Sequence, residues 1–311
     1  MIKKIIRYIG LLVMGYLLIC LITPFNSFLK NRSIEHQITF LSELLDEGYD
    51  VQLQNRYPEG KLFSNAILAL SVIDYCNRNY KVDERYQTIV DNCIRRIQSS
   101  ETLHPFNSTM SPAYGMFYNG WVSYVCSEYQ KSKLFKTSKL KIEITELTDS
   151  IEKRLVLAQE PDLRILDTYA GANWPADNLI GLISLKNDTL KQQWMHKLFQ
   201  TAKHDSGLIH HSGFDYATIR GSSSAMITFC LNKLNYERIE AYNRTYKEAF
   251  VDEFMGIQLV NENIDGSNEM DVDSGPVIFG YGASATIMNI KTQASFRCNH
   301  AKYTWAAMNM I

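Results

Sequence analysis

Residues 113–127 read AYGMFYNGWVSYVCS, and residues 141–155 read KIEITELTDSIEKRL. The first stretch carries no charge and is rich in small residues, among them Gly115, Gly120 and Ser123, as expected of a helix packed on all sides. In the second, apolar residues recur at spacings of three and four while Glu143, Glu146, Asp149 and Lys153 hold the opposite face, the pattern of a helix with one wet side. Two such neighbours predict a helical hairpin with an inner and an outer arm.

The same alternation extends along the chain. Further amphipathic, charged segments lie at 33–47, 83–98, 188–204 and 236–254, and the hairpin above contributes 140–155. Further inner segments read LFSNAILALSVI (62–73), WPADNLIGLISL (174–185), GSSSAMITFCLN (221–232) and PVIFGYGASATIMNI (276–290), in which Asp177 is the one charged residue. Inner segments begin about 50 residues apart, enough for one hairpin with its loops. The fold class is therefore all-α. Hairpins with uncharged inner arms bury those arms fully by closing into a ring, which predicts an (α/α)6-type toroid. An open solenoid gives no reason to keep every second helix uncharged, and the inner segments are too short and too polar to be membrane spans. Residues 294–311 read as one more outer segment without an inner partner, so the expected ring is either five-fold and capped or lacks its last inner helix.

A chain of 311 residues with 46% hydrophobic content can bury a large core. Its net charge of -1 and the absence of an internal basic run argue against a nucleic-acid partner. Six widely spaced cysteines with no CxxC pair argue against a zinc site and a disulfide framework, and Cys126 and Cys230 read as packing residues. At the N-terminus, Lys3, Lys4 and Arg7 precede an uncharged run over 8–29. That length and charge step predict a membrane anchor at 1–30, with a toroid domain at 31–311 on the extracytoplasmic side. A cleaved signal peptide is the alternative, although no A-x-A cleavage site follows.

Pro58, Pro112, Pro175 and Pro276 fall near the expected starts of inner helices, where a missing N–H costs nothing. Those starts then share one mouth, where helix N-termini offer unpaired N–H groups. Asp177, Asp271 and Asp273 lie there as candidate acids or bases, with helix capping as the alternative role. Arg220 is placed either to clamp an anionic group or to pair with one of those aspartates, the second being favoured. Tyr114, Tyr118, Trp121 and Trp174 suit an apolar or sugar ligand, with Asn178 and Ser222 as polar contacts beside them. His210, next to His211 in the loop before the fourth inner helix, is a further acid or base candidate. Spacing supplies no third ligand for a metal, and no cofactor is expected.

The stretches NWPADNLIGLISL, RGSSSAMITFCL and DVDSGPVIFGYGASAT resemble the bacterial (α/α)6-toroid proteins grouped with linalool dehydratase/isomerase, over roughly 169–290. That resemblance implies a cofactor-free acid/base site in a toroid cavity that protonates and removes a hydroxyl from a small terpene alcohol. It points to Asp177, Asp271 and Asp273 with the rim tyrosines. The expected function is a lyase or isomerase on a small hydroxylated ligand. Alternatives are a glycoside-active envelope enzyme and a non-catalytic protein that binds a glycan or lipid.

Overall fold

The computed structural model describes residues 2–22, 26–135, 140–160, 162–213, 218–271 and 274–309. Its elements begin with α1 (Ile2–Ile22), α2 (Ser27–Asp46), α3 (Tyr49–Arg56), α4 (Gly60–Asn79), α5 (Glu84–Ile97) and α6 (Ser100–Leu103). There follow α7 (Gly115–Lys131), α8 (Leu140–Ala158), α9 (Pro175–Ser184), α10 (Asp188–Thr201), α11 (Gly221–Lys233) and α12 (Ile239–Phe250). The last are β1 (Val251–Phe254), β2 (Ile257–Val260), β3 (Val277–Ile278), β4 (Tyr281–Gly282), α13 (Ala283–Ser295) and α14 (His300–Met308). Among the described residues the protein is thus mainly helical, with four short strands. Where the sequence reading draws a single domain over 31–311, backbone contacts group into two compact units. A central unit holds Gln37–Lys203 and Ile209–Thr218, and a terminal unit holds Met1–His36, His204–Leu208 and Ile219–Ile311.

In the central unit the uncharged helices pack on one another, α4 against α7 and α7 against α9, while charged α5 covers α4 and α8 covers α7. The α7–α9 approach is close because both helices bring glycine to it. A Cβ on Gly120 would lie 3.0 Å from the Asp177 carbonyl oxygen and 3.3 Å from the Gly181 nitrogen. Local signals set the helix starts. Asp83 accepts from the Tyr86 N–H at 3.1 Å ahead of α5, Asn187 accepts from the Leu190 N–H at 3.0 Å ahead of α10, and Pro175 opens α9.

In the terminal unit α11 packs on α13 and on α12, while α14 packs on α13, on β2 and on α1. β1 and β2 form an antiparallel hairpin, as do β3 and β4, and Asn261 bridges to Tyr281 between the two.

Three segments differ from their expected form, all in the terminal unit. The fifth inner stretch does not start as a helix at Pro276. Residues 277–282 make the β3–β4 hairpin, whose turn residues Phe279 and Gly280 have φ of 53° and 84°, and helix begins only at Ala283. Glycines at 275, 280 and 282 weaken helix here while β-branched Val277 and Ile278 favour strand. The outer helix expected over 236–254 ends at Phe250, and its last four residues become β1 because β2 supplies a partner. Finally, 294–311 is not one helix, since α13 runs on to Ser295 and α14 starts at His300.

Among the described residues no helix is long and apolar enough to cross a membrane. Apolar side chains of α1, including Ile9, Leu12, Met14 and Leu18, are exposed.

Candidate functional site

The start of α11 is pulled tightly onto the chain after β2. Arg220 bridges to Asn263, and the Gly221 N–H donates to the Glu262 carbonyl at 2.8 Å. A side chain at 221 is excluded, since its Cβ would come within 2.0 Å of the Asn261 carbonyl oxygen. That contact brings Ser222, in the first turn of α11, over Glu262. The serine hydroxyl donates to Glu262 Oε1 at 2.7 Å. The glutamate is 0% exposed, and its Oε2 has no hydrogen-bond partner among the described residues. Its carboxyl fills space left by the missing side chain of Gly282, where a Cβ would stand 2.6 Å from Oε2.

Burial is the main influence on this acid, because a charge out of water is disfavoured, and it pushes the Glu262 pKa up to about 7. The Ser222 hydrogen bond works against burial, nearby Asp271 adds to it, and Arg220 opposes it. A carboxyl so placed changes charge at neutral pH, which an acid/base catalyst requires.

Asp271 plays a different part. Its Oδ2 pairs with Arg220 Nη1, while its Oδ1 accepts from the Ser274 N–H at 2.9 Å and its own N–H donates to Ser274 Oγ at 3.1 Å. Arg220 therefore makes an internal ion pair with one of the expected aspartates. Asp273 lies outside the described residues. Around this polar centre the chain exposes apolar side chains. Ile264, Met270 and Ile278 are all open to solvent and Phe279 is 87% exposed. The Gly280 N–H donates to Asn268 Oδ1 at 2.7 Å, which ties the β3–β4 turn to the loop that follows Glu262.

The other expected residues belong to the central unit. Asp177 Oδ2 accepts from the Thr168 hydroxyl at 3.1 Å, and that hydroxyl oxygen accepts from the Trp174 N–H at 3.1 Å, so the carboxylate braces the entry to α9. Trp174 Nε1 reaches His211 Nε2 at 3.4 Å, and its ring meets Tyr169 edge-on at 5.8 Å. Asn178 is engaged by backbone on both sides of its amide. Its Oδ1 accepts from the Leu166 N–H at 2.9 Å and its Nδ2 donates to the Leu166 and Trp174 carbonyls at 3.0 and 3.1 Å. The Tyr114 ring meets the Tyr118 ring at a tilt, 5.5 Å between centroids, and lies under the Arg154 guanidinium at 5.7 Å. Trp121 is buried against Phe63, and His210 is buried, its backbone N–H donating to the Ala202 carbonyl at 2.9 Å.

Arg220, Ser222 and Asp271 thus come together in the terminal unit, whereas Tyr114, Trp121, Trp174, Asp177, Asn178 and His210 lie in the central unit. Glu262 escaped the sequence reading. In the structure Gln258, Val260 and Glu262 share a buried face that continues just past β2, but Ile257 and Leu259 stand on the opposite face, so the apolar alternation of the sequence gives no signal for a buried carboxyl there. Burial raises the thiol pKa of Cys93 and of Cys126 to about 12, which leaves both unreactive at neutral pH. In comparisons with known proteins, no family model and no curated protein matches the chain.

Proposed function

We propose that the protein is a cofactor-free acid/base lyase or isomerase acting on a small hydroxylated ligand, built on an (α/α)6-type toroid and held at a membrane by its N-terminal segment. The observation that carries this reading is Glu262, a fully buried carboxyl with a pKa near 7 whose hydrogen-bond partner is the half-buried hydroxyl of Ser222. Protonated Glu262 passes its proton through Ser222 to the ligand hydroxyl. The C–O bond then breaks with its electron pair leaving in water. The proton lost from the neighbouring carbon returns to the carboxylate through Ser222, and the C–H pair becomes the double bond. The exposed Ile278 and Phe279 beside this centre suit the hydrocarbon part of such a ligand.

The packing of α4, α7 and α9 on one another and of α11 on α13, with charged helices outside, supports the toroid, as does the resemblance to the linalool dehydratase/isomerase group. Attachment to a membrane, with the helical domain on the extracytoplasmic side, rests on the uncharged run at 8–29 behind Lys3, Lys4 and Arg7 and on the exposed apolar side chains of α1. A glycan ligand is the second reading. Favouring it, the Phe106, Phe117 and Tyr169 rings of the central unit lie near-parallel, Phe106 and Tyr169 at 11° and Phe117 and Tyr169 at 24°.

The test is incubation of the full chain with small tertiary and allylic isoprenoid alcohols, with alkene and isomerised alcohol measured by gas chromatography. Product formed by the native chain and lost in Glu262→Gln supports the proposal. No product from any alcohol, or equal product from the variant, overturns it. Tryptophan quenching by oligosaccharides without turnover would favour the glycan reading instead.

A further inference from the structure

The β1–β2 hairpin closes through Met255 and Gly256, with φ of 51° and 83°. Both turn residues are left-handed, the type I′ arrangement that favours Asn-Gly or Asp-Gly because a bulky side chain is strained at positive φ. Here a methionine takes the first position. It is 83% exposed, and Phe254 before it is 72% exposed. In water that choice is unfavourable twice over, through backbone strain and through hydrated apolar surface.

The turn is not a loose end. The Gly256 carbonyl lies 3.2 Å from His300 Nδ1, the Gln258 N–H donates to Thr304 Oγ1 at 2.9 Å, and Gly256 faces the Tyr303 ring. All three partners are on α14, the helix that also packs on α1. A nine-residue helix is only ~13 Å long at ~1.5 Å per residue, so the turn and α1 meet the same short element. Tyr303, beside the turn, is the kind of residue that settles at a lipid–water boundary.

We propose that Phe254 and Met255 form a lipid-docking wedge that seats in the bilayer interface next to α1, an inference that rests on the reading of the N-terminal segment as a membrane anchor. Lipid is the occupant we assign because α1, which packs on the same short helix as the turn, presents a continuous set of exposed apolar side chains beside it.

The test uses the full chain with Cys20 and Cys298 changed to serine, the other cysteines being buried. One environment-sensitive dye is attached through Met255→Cys, Leu12→Cys or, as a control at an exposed central-unit position, Tyr80→Cys. Each protein is reconstituted into vesicles of equal parts phosphatidylethanolamine and phosphatidylglycerol, with or without lipid brominated near the headgroup or near the chain end. The expected result is blue-shifted emission at 12 and 255, quenching at 255 mainly by the shallow bromine, and neither effect at 80. Dye at 12 quenched with dye at 255 still in water overturns the wedge and leaves the anchor standing. Both dyes in water overturn the anchor and the wedge with it. Dye at 255 shielded but unquenched by either lipid, in a chain that cross-links to a second copy, assigns the turn to self-association and also overturns the wedge.

Discussion

The Ser222 hydroxyl donates to Glu262 Oε1 across 2.7 Å, while Oε2 of that buried carboxyl group has no hydrogen-bond partner among the described residues. A neutral carboxyl tolerates this environment. An ionised one is left with a bare, buried Oε2, so burial holds the acid towards its neutral form and the Ser222 hydrogen bond only partly offsets that.

Stability should therefore fall as pH rises through neutrality. The folded pKa of about 7 stands above the ordinary 4.5, so the folded state binds the proton more tightly. The resulting stabilisation is fully present below about pH 4.5 and is lost as pH rises through about 7. At ~1.4 kcal/mol per pH unit the gap amounts to about 3 kcal/mol at most. Thermal melts between about pH 5 and about pH 8.5 should show a falling Tm in the native chain and a flatter profile in Glu262→Gln. Parallel profiles would contradict the assignment.

Activity should follow the same proton. If Glu262 donates, kcat/KM on an alcohol substrate falls as pH rises through about 7. Ser222→Ala removes the hydrogen bond that favours the carboxylate, so the Glu262 pKa rises further and the alkaline fall in Tm shifts to higher pH. Because a hydrogen bond to a charged group is worth about 1.5–3 kcal/mol, that shift is about one to two pH units. Without Ser222 to relay the proton, turnover is expected to drop even where Glu262 is protonated.

Asp271→Asn tests the ion pair. Its half-buried setting makes a loss of about 1 kcal/mol the expected cost. The variant also removes a negative charge that raises the Glu262 pKa and leaves Arg220, which lowers it, without its carboxylate. The alkaline fall in Tm should then move to lower pH, opposite in sign to Ser222→Ala. Movement in the same direction for both would show that Arg220 does not act on Glu262.

Three glycines of the central unit should rank by what a methyl group meets. At Gly115, with φ of +72°, a Cβ would lie 2.1 Å from the Thr168 carbonyl oxygen, so alanine is expected to prevent stable folding. At Gly120 it meets the Asp177 carbonyl oxygen at 3.0 Å, and forcing α7 from α9 should cost about 1–3 kcal/mol. At Gly181 the nearest atom is the flexible end of Met116 at 2.7 Å, which can swing aside, so the loss should be the smallest of the three. Chemical denaturation of the three alanine variants reads the order directly.

Charge periodicity made the helices legible. The expected segments 62–73, 113–127, 174–185 and 221–232 all fall on α4, α7, α9 and α11, because burying a charge is costly enough that an inner helix must show its place in composition. The pairing of Arg220 with a nearby aspartate was legible for the same reason. Turns and strands were less so. Val251–Phe254 and Val277–Ile278 are too short for their own periodicity to declare them, and each becomes strand only because a partner lies across a two-residue turn.

Chain order and side-chain type determine which helices are inner and outer and where acids cluster, since those follow from local hydration. They do not determine which acid loses its water. Asp271 remains tied to Arg220 and half exposed, whereas Glu262 is sealed under Ser222 and beside Gly282, residues 40 and 20 positions away in the chain. Desolvation is a sum over everything that packs around a group, and for Glu262 that sum is written by contacts across the fold.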